Sequence, residues 1–161
     1  MSSAADSELA GNVIGTAGPF RRVLVAWDGS ADSVTALRTA TAVVGQSRGH
    51  VVALSIHSAA SRSEAAEDER AGQSAQSRRL EAVFEAARES IARNSSVRID
   101  LHTAEGRHIA DSLCAYAVEH GFDLLVVGRH GDGGLLHAKL GHIAESAARS
   151  CRIPVLLVSA S

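Results

Sequence analysis

The chain has 161 residues, 45% of them hydrophobic and 21% charged, which fits one domain of ordinary size and excludes both a second full domain and a disordered polymer. Sixteen basic residues against 18 acidic ones leave a net charge of -2, so nothing is built to release counterions from a nucleic acid, and aromatics at 3% are too few for a base-stacking platform. No apolar run approaches the roughly 18 residues that would span a bilayer, so neither nucleic acid nor membrane is an expected partner.

The leader MSSAADSELAGNVIGTAGPF has no basic start and no long apolar stretch, and it reads as a flexible extension over residues 1–20 rather than a secretory signal. Residues 21–161 then form the domain. Cys114 and Cys151 stand far apart with apolar neighbours, which suits reduced core thiols in a cytoplasmic protein better than a disulfide framework.

From Arg22 onward, short β-branched runs alternate with longer amphipathic stretches, the pattern of an α/β domain with a parallel sheet and crossover helices on both faces. The expected strands are Arg22 to Trp27, Val51 to His57, Val97 to Thr103, Asp123 to Gly128 and Pro154 to Ser159. The first, fourth and fifth are continuous apolar runs, as strands covered on both faces must be; the third alternates and is expected at an edge. A first helix opens at Ser30 with Val34, Leu37, Thr41 and Val44 along one face, and a second runs from about Ser77 to Ala92 with Leu80, Phe84, Ala87 and Ile91 inward. Before the second lies SRSEAAEDERAGQSAQS, which has little to bury and reads as a loop or frayed helix. The third helix, Ile109 to Glu119, turns Ile109, Leu113 and Tyr116 inward; the fourth runs from Gly141 to about Ser150.

In an open parallel sheet, ligands settle at the carboxyl ends of strands where neighbouring crossovers part. Two loops qualify. Trp27-Asp28-Gly29-Ser30 sets a carboxylate, a glycine and a hydroxyl at the end of strand one. Asp28 and Ser30 are suited to cap a helix, and Asp28 equally to accept a hydrogen bond from a ligand. The second loop runs from Gly128 through Arg129, His130, Gly131, Gly133 and Gly134 to Gly141 and His142, with four glycines in its first seven residues. Glycine at that density implies either tight turns or backbone that must approach a ligand, and the N–H groups opening the next helix make an anion site. Neither a Walker A loop nor a GxGxxG first turn is present. His130, His137 and His142 have no nearby cysteine or carboxylate cluster to complete a metal site, so no metal is expected. Asp28-Gly29-Ser30-Ala31-Asp32-Ser33 matches only half of the SGGxDS loop of ATP pyrophosphatases, and no nucleophile elbow or triad order appears, so no enzyme activity is expected.

VLVAWDGSADS, GRHIADSL and DLLVVGRHGDGGLLHAKLGHIAESAARSCRIPVLLV together resemble the universal stress protein family over residues 21 to 160. The most specific part is a nucleotide pattern of Gly, two residues, Gly, nine residues, Gly and then Ser or Thr, met here by Gly128, Gly131 and Gly141 but with His142 in the hydroxyl position. The resemblance implies a five-stranded parallel sheet in the order 3-2-1-4-5, a Rossmann-like fold akin to the adenine nucleotide alpha hydrolases. It further implies ATP or a related adenine nucleotide, alone or with Mg2+, bound at the switch point between strands one and four. In ATP-binding members the aspartate matching Asp28 lies near the adenine, the residue matching Val51 packs on the base, and the glycine loop holds ribose and phosphates. A homodimer through the last strand, PVLLVS, is implied too. The alternative is a dimeric interaction module of the same family without nucleotide. A hydroxyl bonded to a charged phosphate contributes about 1.5 to 3 kcal/mol, so His142 is expected to weaken binding unless its imidazole donates instead.

Overall fold

The computed structural model describes residues 19–45, 49–57, 66–131 and 140–160, with residues 66–70 described by their backbone. The leader up to residue 18 lies outside them. Among the described residues the elements are β1 (Arg22–Ala26), α1 (Ala31–Val44), β2 (His50–His57), α2 (Ala66–Ala92), β3 (Arg98–Glu105), α3 (Ile109–Glu119), β4 (Leu124–Gly128), α4 (His142–Ser150) and β5 (Val155–Val158). All pairings are parallel and the strand order is β3-β2-β1-β4-β5, as the resemblance implied. The alternating strand β3 does lie at an edge.

Side chains of a strand point to opposite faces in turn, so the continuous apolar runs feed two cores. Val23, Val25, Val51, Ala53, Leu124 and Val126 face α1 and α2, where Leu37, Ala40, Val44, Leu80 and Phe84 cover them. Leu24, Val52, Leu54, Leu125 and Val127 face α3 and α4, meeting Leu113, Ala117, Ala144 and Ala147. Burying each such leucine or valine contributes about 1.5–3 kcal/mol, which is why the three central strands carry almost nothing else. Because the first two helices cover one face and the last two the other, the crossovers from β1 and β4 part and leave a crevice at their carboxyl ends.

Two sequence expectations need adjustment. Helix α2 begins at Ala66, eleven residues before the expected start, so much of the polar stretch is helical. Ala, Glu, Arg and Gln favour a helix without an apolar stripe, and the Leu80, Phe84 and Ala87 contacts anchor only its second half. Ile109, expected inward, is 43% exposed at the start of α3. Cys114, buried, and Cys151, half-buried, both join the apolar layer that α3 and α4 form on the sheet, as free thiols.

Candidate functional site

At the carboxyl end of β1 the chain turns sharply at Gly29, whose φ of +76° is the left-handed conformation that glycine adopts without strain. Asp28 Oδ1 accepts from Ser30 N at 2.9 Å, and Ser30 Oγ in turn accepts from Ser33 N at 3.1 Å as the N-cap of α1. The capping role is therefore realised by Ser30, while Asp28 holds the turn that precedes the cap, stays exposed and borders the crevice. Trp27 is buried; its Nε1 donates to Leu80 O at 3.3 Å and its ring meets Phe84 edge-on, so α2 is tied to the end of β1.

The crevice holds a cavity of about 300 Å³. Its apolar lining is supplied by Ala26 from β1, Leu54 and Ile56 from β2, Leu113 from α3, Val127 from β4, and Ile143 and Ala144 from α4. Its polar lining is formed by Asp28, Ser30, His57, Gln76, Arg129, His130 and His142 with Gly128, Gly131 and Gly141, and the Nε2 of His57 is buried with no hydrogen-bond partner among the described residues. The volume and the pairing of apolar walls with a few polar groups are those of a small-molecule site.

The loop after β4 is braced from below by Asp32. One carboxylate oxygen accepts from Ala160 N at 2.7 Å; the other accepts from His130 N at 2.8 Å and stands 3.3 Å from His130 Nδ1. Burial alone would raise the Asp32 pKa, but the Ala160 and His130 backbone donors and the His130 imidazole outweigh it and hold the carboxyl below its ordinary value. The first turn of α1 thereby fastens the ends of both β4 and β5.

Gly128 and Gly131 have different reasons to lack a side chain. A Cβ on Gly128 would lie 2.8 Å from Asp32 Cβ and 3.1 Å from its carbonyl carbon, so this glycine lets α1 pack against the end of β4. Gly128→Ala should cost about 1–3 kcal/mol by overpacking, read as a lower urea midpoint at unchanged slope. An unaltered midpoint would contradict that packing. A Cβ on Gly131 would instead reach to 3.0 Å from Asp28 Oδ2, across the mouth of the cavity. Gly141 N donates to Arg129 O at 2.9 Å, closing the loop at its base, and Gly141 is the N-cap of α4 with no side-chain cap bond. The first closing bond of α4 comes from Glu145 N, so the N–H groups of His142, Ile143 and Ala144 have no partner within the helix. All three residues border the cavity, which thus receives the positive end of the helix dipole.

Of the expected site residues, Trp27, Asp28, Ser30, Gly128, Arg129, His130, Gly131, Gly141 and His142 come together around this cavity, and Gly29 supplies the turn beneath it. Gly133 and Gly134 lie outside the described residues, as does His137. Val51 does not reach the site: it is fully buried, level with Val23 near the start of β1, and packs in the core below α1. The residues of β2 that border the cavity are Leu54 to His57, because they are the ones level with and beyond the end of β1. The sequence reading also missed Gln76, on α2, and Ile109, at the start of α3. The switch-point argument alone would have selected the last residues of β2; nothing in the polar run around Gln76 distinguished it. Among the described residues, no group of three His, Cys, Asp or Glu side chains is placed to hold a metal.

A model of the universal stress protein family matches residues 19–159. The chain belongs to the universal stress protein family. Among solved structures, this universal stress protein is similar to the protein UspA from Lactobacillus plantarum, at 17% identity and a TM-score of 0.73 over 86% of this chain and 97% of that one. It is similar as well to a universal stress protein in complex with cAMP, at 25% identity and a TM-score of 0.67 over 88% and 99% of the two chains. A universal stress protein family protein from Arabidopsis thaliana with AMP bound is 18% identical, with a TM-score of 0.61 over 88% and 92%. No curated protein matches.

Proposed function

We propose that this universal stress protein binds an adenine nucleotide, ATP or a relative, alone or with Mg2+, in the cavity at the ends of β1 and β4. The observation that carries the reading is the joining, in one cavity, of an apolar lining with the N-terminus of α4, whose N-cap Gly141 supplies no side-chain hydrogen bond. A planar base suits the apolar lining, and phosphate oxygens suit the N–H groups of His142, Ile143 and Ala144, which lack partners within the helix. Near-neutral net charge agrees with phosphate held by backbone donors rather than by a basic patch. Two structural relatives carry cAMP and AMP, which supports the same ligand class here.

The role is that of a binding module in a cytoplasmic stress response or signalling pathway, not of a catalyst. No helix among the described residues is long and apolar enough to cross a membrane. Ligand binding changes the protein's output only if two conformations differ in affinity, and the loop from Gly128 to Gly141 is the segment whose backbone would feel the phosphates. The test is the melting temperature with and without magnesium ATP: at 100 times Kd the gain is about 2.7 kcal/mol, a rise of roughly 5–10 °C for a domain this size. No rise at millimolar ATP, AMP or cAMP would overturn the reading.

His142 gives the site its own character. His142→Ser restores a hydroxyl at the first turn of α4 and should tighten ATP binding by roughly 10-fold. Weaker binding in that variant would show that the imidazole itself holds the ligand.

The second reading, a module that works through its surface, is favoured by β5. Val155, Leu156, Leu157 and Val158 are all partly exposed on an edge strand. An apolar edge with unpaired backbone groups is unstable against association, and pairing with a second copy would cover it. Sedimentation of the purified chain as a monomer at micromolar concentration would exclude that homodimer.

A further inference from the structure

Strand β2 ends at His57, beside β1 on the side away from β4. Its backbone is fixed there by the pairing with Glu105 and by Gly106 N, which donates to His57 O at 2.9 Å. Side chains alternate along a strand, and Val51 and Ala53 belong to the core under α1 and α2, so Ser55 and His57 point to that same face. There α2 borders the cavity with Leu80 and, one helical turn before it, Gln76. His57 is half-buried as a residue, but its Nε2 is enclosed and is the one buried side-chain nitrogen or oxygen without a hydrogen-bond partner among the described residues. Folded proteins pair nearly all such atoms, because an unpaired one costs stability. The fold thus leaves its unmatched polar atom on a residue that lines the cavity. The loop that leads into α4 leaves β4, and β2 lies two strands from β4, about 10 Å away. An elongated ligand with its phosphate at α4 therefore has its other end at β2.

We propose that His57 reads the base of the bound nucleotide: its imidazole turns about χ2, and Nε2 forms a hydrogen bond with the polar edge of the ring. This rests on the nucleotide reading above and adds to it the residue that selects the base end of the ligand. The χ2 torsion of histidine is broad and two-fold, so the enclosed nitrogen reaches the cavity without movement of the strand. Nε2 accepts from an exocyclic amino group or donates to a ring nitrogen according to its tautomer, and adenine offers both on one edge. The ligand-free protein carries the cost of the unpaired nitrogen and the ligand removes it. His57 therefore lowers the stability of the ligand-free fold and raises affinity, which is the opposite of what a structural histidine does.

The test compares the full chain with His57→Leu and His57→Gln in two measurements: the ligand-free melting temperature, and calorimetric titration with ATP and with inorganic triphosphate, which has the charge but no base. Without ligand, His57→Leu should melt roughly 2–4 °C above wild type. It should bind ATP about 10-fold more weakly and inorganic triphosphate no differently. His57→Gln keeps a donor and an acceptor at a similar reach and should recover most of the lost ATP affinity. A lower ligand-free melting temperature in His57→Leu would show that the fold itself needs the imidazole, and an equal loss of ATP and triphosphate affinity would put it on the phosphates; either result overturns the proposal. Unchanged ATP affinity in His57→Leu would overturn it and leave the nucleotide reading intact, whereas no binding of ATP by wild type would overturn both.

Discussion

Asp32→Ala should lower folding stability by about 2–4 kcal/mol, measured by urea unfolding at neutral pH. The carboxylate is buried and holds Ala160 N and His130 N at 2.7 and 2.8 Å, so its removal strands donors at the ends of both β4 and β5. Hydrogen bonds to a charged group contribute about 1.5–3 kcal/mol each; the Ala160 end is open enough for water to recover part of that. Asp32→Asn keeps one good acceptor and should lie between the two. The pH dependence has a definite sign. The folded Asp32 pKa lies below its ordinary 3.8, so its contribution is complete above that value and is lost as pH falls through the lower folded value. Asp100 acts in the same direction: burial raises its pKa, but His50 Nε2 at 2.7 Å and Arg98 Nε at 2.8 Å outweigh it, and the carboxyl is held low. Wild type and Asp32→Ala should therefore converge in stability as pH drops below about 4, and a gap that stays constant into acid would disprove the electrostatic account.

Gly131→Val should reduce nucleotide affinity by about 100-fold, or roughly 3 kcal/mol, and abolish the ligand-induced rise in melting temperature. The position is exposed, so the fold itself should be little affected. Its first side-chain atom would already stand 3.0 Å from Asp28 Oδ2, and the two further methyl groups of valine would fill space between Asp28 and the start of α4. The measurement is calorimetric titration with ATP on wild type and variant. If wild type binds and Gly131→Val binds equally well, the nucleotide sits elsewhere on the molecule.

Most of the architecture was written in local pattern. The apolar runs of β1 and β4 specify their strands because two-sided burial leaves few alternatives, and the three-and-four spacing of α1 and α3 specifies their helices; β5, read as a strand covered on both faces, is a partly exposed edge strand instead. The early half of α2 escaped notice because its helix rests on residue propensity, while the amphipathic signal begins only where Leu80 touches the core. Among the described residues, the cavity lining was legible where it is contiguous, in the turn from Trp27 to Ser30 and at the two ends of the glycine loop, Gly128 to Gly131 and Gly141 to His142. It was illegible where it depends on register. Nothing local says that Arg22 pairs with His50, yet that pairing brings Leu54 to His57 to the cavity and leaves Val51 in the core. The glycine pattern was also read too uniformly: Gly128 makes room for a helix, Gly131 for the cavity, and Gly141 for the hydrogen bond that closes the loop.

Trp27 is the chain's single tryptophan, and it is buried against Phe84 with its indole N–H on the backbone of α2 while its other edge borders the cavity. Every photon emitted by an indole in this protein therefore originates beside the ligand space. Native emission should be blue-shifted, quenching on titration with nucleotide would report occupancy without any label, and a red shift without loss of far-ultraviolet dichroism would mark the peeling of α2 from the sheet ahead of global unfolding. The fold carries its own optical gauge of whether the pocket is shut.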